Sequence, residues 1–428
     1  MRILLIGAGG VGDAVAKIAA KRSFYEHFIV SDYDQGRADK TIAWIEDRYG
    51  AEVASRFSSL KIDASNAASM AQLIKENNVD YVINAVEPKF VPTIFSACFT
   101  AKVNYLDMAL SLSEPHEHDP FHKTGIKLGD SQYALNEQWQ RAGKLALIGI
   151  GVEPGLSNIF AKYAADNLFG EIDEVSVKDG GNLVVKNEKG EEIFAPSFSI
   201  WTTIEECLNP PTLFEKKKGW FTTEPFSEPE VFEFPDGIGA VECVNVEHEE
   251  ISMLPRTMKV GRVTFKYGLG SDFIGVLKTL HKLGLDATKP VRVRSSQGPV
   301  EVAPRDVVVS VLPDPATIGP RMTGKTCAGV LVTGKSKDGT PSATYIYHVA
   351  DNSETMAAIE AQAVVAQTAF NPLIALELIS QGIWQGVGVM GPEEFDPKPF
   401  LDLMASSTGY QEKWVAQERL PASPLRLP

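Results

Sequence analysis

The first third of the chain alternates short apolar runs with longer amphipathic stretches. Residues 3–6, 28–31, 60–62, 81–84, 105–107 and 146–149 read as strands bounded by polar or glycine-rich turns. Between the first two, Val11, Val15, Ile18 and Ala19 share one face of a helical period, which closes a strand–helix–strand unit. Six such strands with intervening helices predict an α/β fold with a doubly wound parallel sheet of Rossmann type. After residue 171 the pattern shifts to short alternating segments at 174–177, 241–246, 262–267 and 307–311, broken by Pro and Gly. This predicts a second, α+β catalytic domain built mostly of antiparallel strands. Residues 352–367, and 371–381 starting near Pro372, read as C-terminal helices that return to the first domain. The expected organisation is residues 1–150 for the dinucleotide, 151–351 for the substrate and 352–428 for the returning helices, with 419–428 an irregular, partly mobile tail.

The turn after the first strand reads Gly7-Ala8-Gly9-Gly10-Val11-Gly12. Gly7 permits the tight turn, Gly9 lets backbone approach a pyrophosphate, and Gly12 lets the helix pack on the strand. The N–H groups of Gly10 and Val11 open a helix whose N-terminus favours phosphate. Asp32 ends the second strand, where a carboxylate meets the adenosine ribose hydroxyls, which favours NAD; Arg37 and Lys40 follow closely enough to accommodate the 2′-phosphate of NADP. Ala85 and Val86, just past the fourth strand, border the nicotinamide side, because ligands sit beyond the carboxyl ends of such strands.

The sixth strand runs into Gly151-Val152-Glu153-Pro154-Gly155, which sets the Glu153 carboxylate at the edge of the sheet facing the cleft. In the second domain, residues 197–206 read as a short polar-aromatic strand entering a helix, with Trp201 and Glu206 on it. His248 lies between Glu247 and Glu249, either as a proton carrier near neutral pH or as an exposed histidine on a charged strand end.

Composition narrows the classes. Against 41 Lys and Arg stand 55 Asp and Glu, a formal charge of −14, which argues against nucleic acid or an anionic membrane as partner. Cys98, Cys207, Cys243 and Cys327 are isolated, as expected of reduced thiols in a cytoplasmic protein. The N-terminus reads as part of the fold rather than a leader, and the apolar stretch 145–152 is too short to span a bilayer. No metal is expected, since the prolines around His116, His118 and His122 deny them a ligating helix. Two segments beginning at Gly319 and Gly329 match the letters of a P-loop, but neither has a helix after it. A homodimer is the expected assembly, closed two-fold oligomers being the commonest.

Taken together, these residues resemble the saccharopine dehydrogenase family. The resemblance rests on the glycine turn, on Val103-Asn104-Tyr105-Leu106-Asp107, on residues 151–158, and on the closing segments 378–384 and 388–393. The chain differs where the family usually has Asp-Pro-Gly and this sequence has Glu153-Pro154-Gly155. The resemblance implies a Rossmann domain joined to a catalytic domain inserted before C-terminal helices, and hydride exchange between a nicotinamide and a carbon bearing an amine. Saccharopine, lysine and carboxylated polyamines are among the family's substrates. Oxidising a C–N bond needs a neutral amine and a base, and Asp107, Glu153 and His248 are the candidates. Three carboxylates on saccharopine would call for arginines, whereas lysine or a polyamine calls for acids and an aromatic face, such as Trp201, Glu206 and Glu249. The substrate stays open between these. A different class, an NAD-binding sensor or scaffold without turnover, would show binding without production of reduced nicotinamide.

Overall fold

A computed structural model describes residues 1–419 except Pro196, Phe198 and Ala316; the expected irregular tail lies, from residue 420 on, outside the described residues. Six strands build the first sheet in the N-terminal third: β1 (Arg2–Ile6), β2 (His27–Asp32), β3 (Phe57–Lys61), β4 (Tyr81–Asn84), β5 (Asn104–Asp107) and β6 (Leu145–Leu147). Helix α1 (Gly10–Ala19) joins the first two. The strands are apolar on both faces because both are covered: Ile3 and Leu5 pack with α1, and Leu4 and Ile6 with the helices opposite.

The second sheet is laid by β7 (Phe169–Gly181), β8 (Thr212–Glu215), β9 (Gly219–Thr222), β10 (Glu230–Phe234), β11 (Gly239–Asn245), β12 (Val260–Gly268), β13 (Lys325–Ser336) and β14 (Pro341–Asp351). Its pairs are antiparallel except β7 with β12, which run parallel. Helices α2 (Leu156–Tyr163), α3 (Ile200–Leu208), α4 (Glu249–Thr257), α5 (Gly270–Lys282) and α6 (Pro304–Val311) belong to this half.

The chain then returns. Helix α7 (Ala363–Ser380) packs on α1, strand β15 (Gly388–Met390) adds to β6 in parallel, and β16 (Trp414–Arg419) adds to β14. The first sheet therefore has the order β15-β6-β5-β4-β1-β2-β3, all parallel. Arg22, just past α1, grips Glu377 of α7 with two nitrogens at 2.7 and 2.9 Å and donates to the carbonyl of Gly409.

Three local expectations are corrected, and one helix was not foreseen. Residues 307–311 are not a strand but the end of α6; Pro304 sits in its first turn, and only Val308 of the valine run is buried while Val307 and Val311 face solvent. Residues 352–367 are two helices, since Glu360 takes a left-handed φ of 55° and stops the first (Asn352–Ile359). Pro372 starts no helix; it lies inside α7, whose near-complete burial holds the chain helical through it. Helix α4 carries an internal Pro255, which hid it from a reading by pattern. Among the described residues, α7 is also the one helix long and apolar enough to cross a membrane, with mean hydropathy 1.4, but 83% of that window is buried inside the protein.

Candidate active site

At the carboxyl end of β1, Gly7 has a φ of +104°, and a Cβ there would come within 2.6 Å of the Ala85 carbonyl. A Cβ on Gly12 would lie 1.8 Å from the Gly7 carbonyl, so this turn closes only with glycine at both positions. A Cβ on Gly9 would meet no protein atom within 4 Å. The open side of the turn is thus a cradle kept free above the α1 N-terminus, which fits a dinucleotide pyrophosphate. Asp32 closes the far side, accepting the Ala8 N–H at 2.8 Å and the Asp34 N–H at 2.9 Å. Asn84 ties the end of β4, donating to the Tyr105 hydroxyl and accepting the Val86 N–H.

From this turn a cleft of about 570 Å³ runs to the face of the second sheet. Gly10, Val11, Ala85 and Val86 line its dinucleotide end; Glu153, Trp201, Glu206, His248 and Glu249 line the other. Of the residues expected at the site, Asp107 is not among them. It is buried, accepting Gln132 at 2.8 Å and the Gly149 N–H at 2.7 Å, and so clamps β5 to the turn after β6. Burial raises its pKa to about 7 against the pull of those two donors.

Two residues missed by the sequence reading complete the floor: Asp179 on β7 and Tyr267 on β12. Their signal was strand parity. Val175 and Val177 face the core, so Asp179 is the next inward position, as Tyr267 is after Val263 and Phe265. Asp179 hydrogen-bonds Glu153, carboxyl to carboxyl, and Glu153 Oε1 is buried without a partner. Both acids keep some surface toward the cleft, yet lie deep enough for desolvation to dominate. Burial, with Asp179 and Glu250 beside it, pushes Glu153 well above the usual carboxylate range, and burial lifts Asp179 to about 6. Burial and the repulsion between the two carboxylates favour a single proton on the pair, carried by Glu153.

His248 is buried rather than exposed. Its ring stacks on Phe265 with centroids 3.7 Å apart, and its Nδ1 meets Glu250 at 2.5 Å and Glu249 at 3.2 Å. Burial opposes its charge, but Glu250 and Glu249 outweigh it and raise the pKa to about 10. This pairing favours the imidazolium form at neutral pH. Glu250 is held in turn by the Ser157 hydroxyl at 2.6 Å, and Glu249 by the Leu110 N–H. Burial raises Glu206 to about 8 despite His248 nearby.

The arginines of the second half are engaged elsewhere or exposed. Arg256 pairs with Asp130, Arg262 with Glu228, and Arg305 with Glu205 while covering one face of Trp201 at 4.7 Å. Arg292, Arg294 and Arg321 face solvent. No lysine or arginine is among the described residues that line the cleft. Glu247, the neighbour of His248 in sequence, is buried outside the cleft lining and accepts from Asn209 at 2.9 Å.

Comparison with known proteins agrees with this architecture. Residues 3–147 match the family model described as saccharopine dehydrogenase NADP binding domain, and residues 151–410 the one described as saccharopine dehydrogenase C-terminal domain. The carboxynorspermidine synthase of Vibrio alginolyticus is 31% identical over 429 residues, covering 99% of each chain. A carboxyaminopropylagmatine dehydrogenase of Synechocystis sp. is 27% identical over 94% of each. Among solved structures, apo saccharopine dehydrogenase (L-Glu forming) from Saccharomyces cerevisiae shares the fold, with a TM-score of 0.66 at 13% identity over 98% of this chain and 100% of that one.

Proposed function

The chain belongs to the saccharopine dehydrogenase family, as a nicotinamide-dinucleotide-dependent oxidoreductase acting on amine-derived substrates, and from that premise we propose that its substrate is a carboxylated polyamine. The observation that carries this reading is the make-up of the cleft: Glu153, Asp179, Glu206 and Glu249 line it, His248 beside them is already paired with Glu249 and Glu250, and no lysine or arginine is among its described lining residues. A tricarboxylate such as saccharopine would find acids where it needs guanidinium groups, whereas ammonium groups find carboxylates and the free face of Trp201. The names of the two relatives point the same way.

When bound, the dinucleotide supplies or removes hydride at the carbon of the C–N bond. The protein's own part is proton traffic and placement. In the reducing direction an amine adds to a carbonyl; the resulting carbinolamine loses water when its hydroxyl takes a proton, and the C=N bond then accepts hydride to give the secondary amine. Glu153, holding the proton it shares with Asp179, donates to the departing hydroxyl, and in the opposite direction the pair takes a proton from the amine. Charged His248 lowers the cost of keeping several acids together around the amine. Asp107 acts from behind by holding the β5 and β6 ends in register. Asp32 supports NAD as the preferred dinucleotide, with NADP accommodated by Arg37 and Lys40. A cytoplasmic, reducing setting is supported by four unpaired, buried cysteines. A homodimer is supported by exposed Val291, Val293, Val300, Val307 and Val311 on the arm around α6.

The test is a panel of carboxylated norspermidine, saccharopine and lysine with NAD and NADP, followed by the ultraviolet absorbance of reduced nicotinamide. The polyamine is expected to give the highest kcat/KM; a far higher value for saccharopine overturns the assignment.

A further inference from the structure

The cleft does not end at Asp179 and Tyr267. Beyond them lies a second chamber of about 130 Å³, which shares Asp179, Tyr267 and Val364 with the cleft as common walls. The rest of its wall mixes apolar side chains, Val185, Ala195 and Phe273 among them, with the hydroxyls of Thr203 and Thr326 and the backbone of Gly180, Gly181 and Gly268. Ala195 and Phe273 are partly exposed, so the chamber has a rim at the solvent. Among its described lining residues there is one acid, Asp179, and no cation.

On the polyamine reading of the cleft, we propose that this chamber seats the terminal aminoalkyl arm of the substrate, with Asp179 holding the amine where cleft and chamber meet. A polyamine alternates ammonium groups with methylene spacers. Carboxylates recognise the first but cannot measure the second. A chamber of fixed depth can, because its walls limit how many methylenes fit between Asp179 and the rim, while the end of the arm stays hydrated there. The Thr203 hydroxyl already donates to the Ser199 carbonyl at 3.0 Å, which leaves its lone pairs to accept from an ammonium. An arm ending in a carboxylate would find no positive partner there. The cleft thus selects charge, and the chamber selects the length and end group of one arm.

Filling the chamber tests this. Ala195→Leu and Val185→Phe narrow it from two segments, and near-isosteric Thr326→Val removes a hydroxyl with little change of shape. Calorimetry on the dinucleotide-loaded enzyme would compare norspermidine with 1,3-diaminopropane, which is short enough to remain in the cleft. Norspermidine affinity is expected to fall by about tenfold or more in the filled variants and about threefold in Thr326→Val, with diaminopropane and dinucleotide affinities within about twofold of the parent. Unchanged norspermidine affinity in all three, or equal losses for both amines, overturns the chamber assignment while leaving the polyamine cleft standing. Failure of the parent to bind either amine overturns both.

Discussion

Replacing Glu153 by Gln keeps the side chain's size and removes its titration. A loss in kcat of about 10²-fold or more is expected, with the dinucleotide affinity unchanged. The pH profile separates proton transfer from simple packing: reductive turnover of the parent should fall as pH rises through the ionisation of the Glu153–Asp179 pair, and that basic limb should vanish in Glu153→Gln. A variant with parental kcat would leave the acid a structural role only. Asp32 is a second position where one carboxylate decides an outcome. It spends one oxygen on the Ala8 N–H and the other on the Asp34 N–H, so its charge stays fixed at the end of β2, where a 2′-phosphate would meet repulsion. Asp32→Ser is expected to shift the ratio of NADP to NAD affinity toward NADP, and fluorescence titration with both reduced dinucleotides checks it; an unchanged ratio would remove Asp32 from cofactor choice.

At the scale of the element, the turn from β1 into α1 separates folding from binding within six residues. Gly9→Val places its side chain in open space, so the apoprotein should unfold at the parental temperature yet lose dinucleotide binding by calorimetry; Gly12→Val drives its Cβ into the Gly7 carbonyl and should lower the unfolding temperature itself. Parental binding in Gly9→Val would reject the cradle. This element was readable in advance because its requirements are local: spacing, strand before, helix after. The same holds for the six parallel strands, whose apolar runs are continuous. Legibility ended where tertiary context outweighs pattern. The valines of α6 have strand-like preference, but a proline in the first turn and one-sided packing make a helix of them. Asp107 and Glu153 carry the same signal in sequence, an acid at a strand end; only the Gly149 N–H and the Gln132 side-chain amide that donate to Asp107 distinguish a clamp from a cleft residue. Asp179 sits inside a strand assigned too short, so its inward parity went unused, and the pairing of His248 with Glu250 depends on an unread helix start.

For the whole molecule, buried acids dominate the pH response of stability. Asp107, Glu247 and Glu393 each rise to about 7 in the fold from ordinary values near 4, so the folded state favours their protonated forms. Their contribution is fully present below the unfolded pKa and is lost as pH climbs through 7. His248, raised to about 10 from 6.5, acts in the same direction at higher pH. Chemical denaturation should therefore give lower stability at pH 8 than at pH 5.5, and a flat or rising profile would contradict the assigned burial. Light scattering is expected to return twice the chain mass at micromolar concentration, a monomer mass refuting the two-fold assembly. The return of the chain to its first sheet has a further consequence, for biosynthesis. Strand β6 ends at residue 147 and its neighbour β15 begins at residue 388, 388 − 147 = 241 positions later. At roughly 5–20 residues per second, the ribosome leaves that edge of the nascent sheet unpaired for about 10–50 s, and α1, complete at residue 19, waits longer still for α7, which begins at residue 363. An open parallel edge beside a bare apolar face is a template for association with other chains. A polypeptide released before residue 388 should consequently be a client of chaperones and proteases rather than a free dinucleotide-binding fragment.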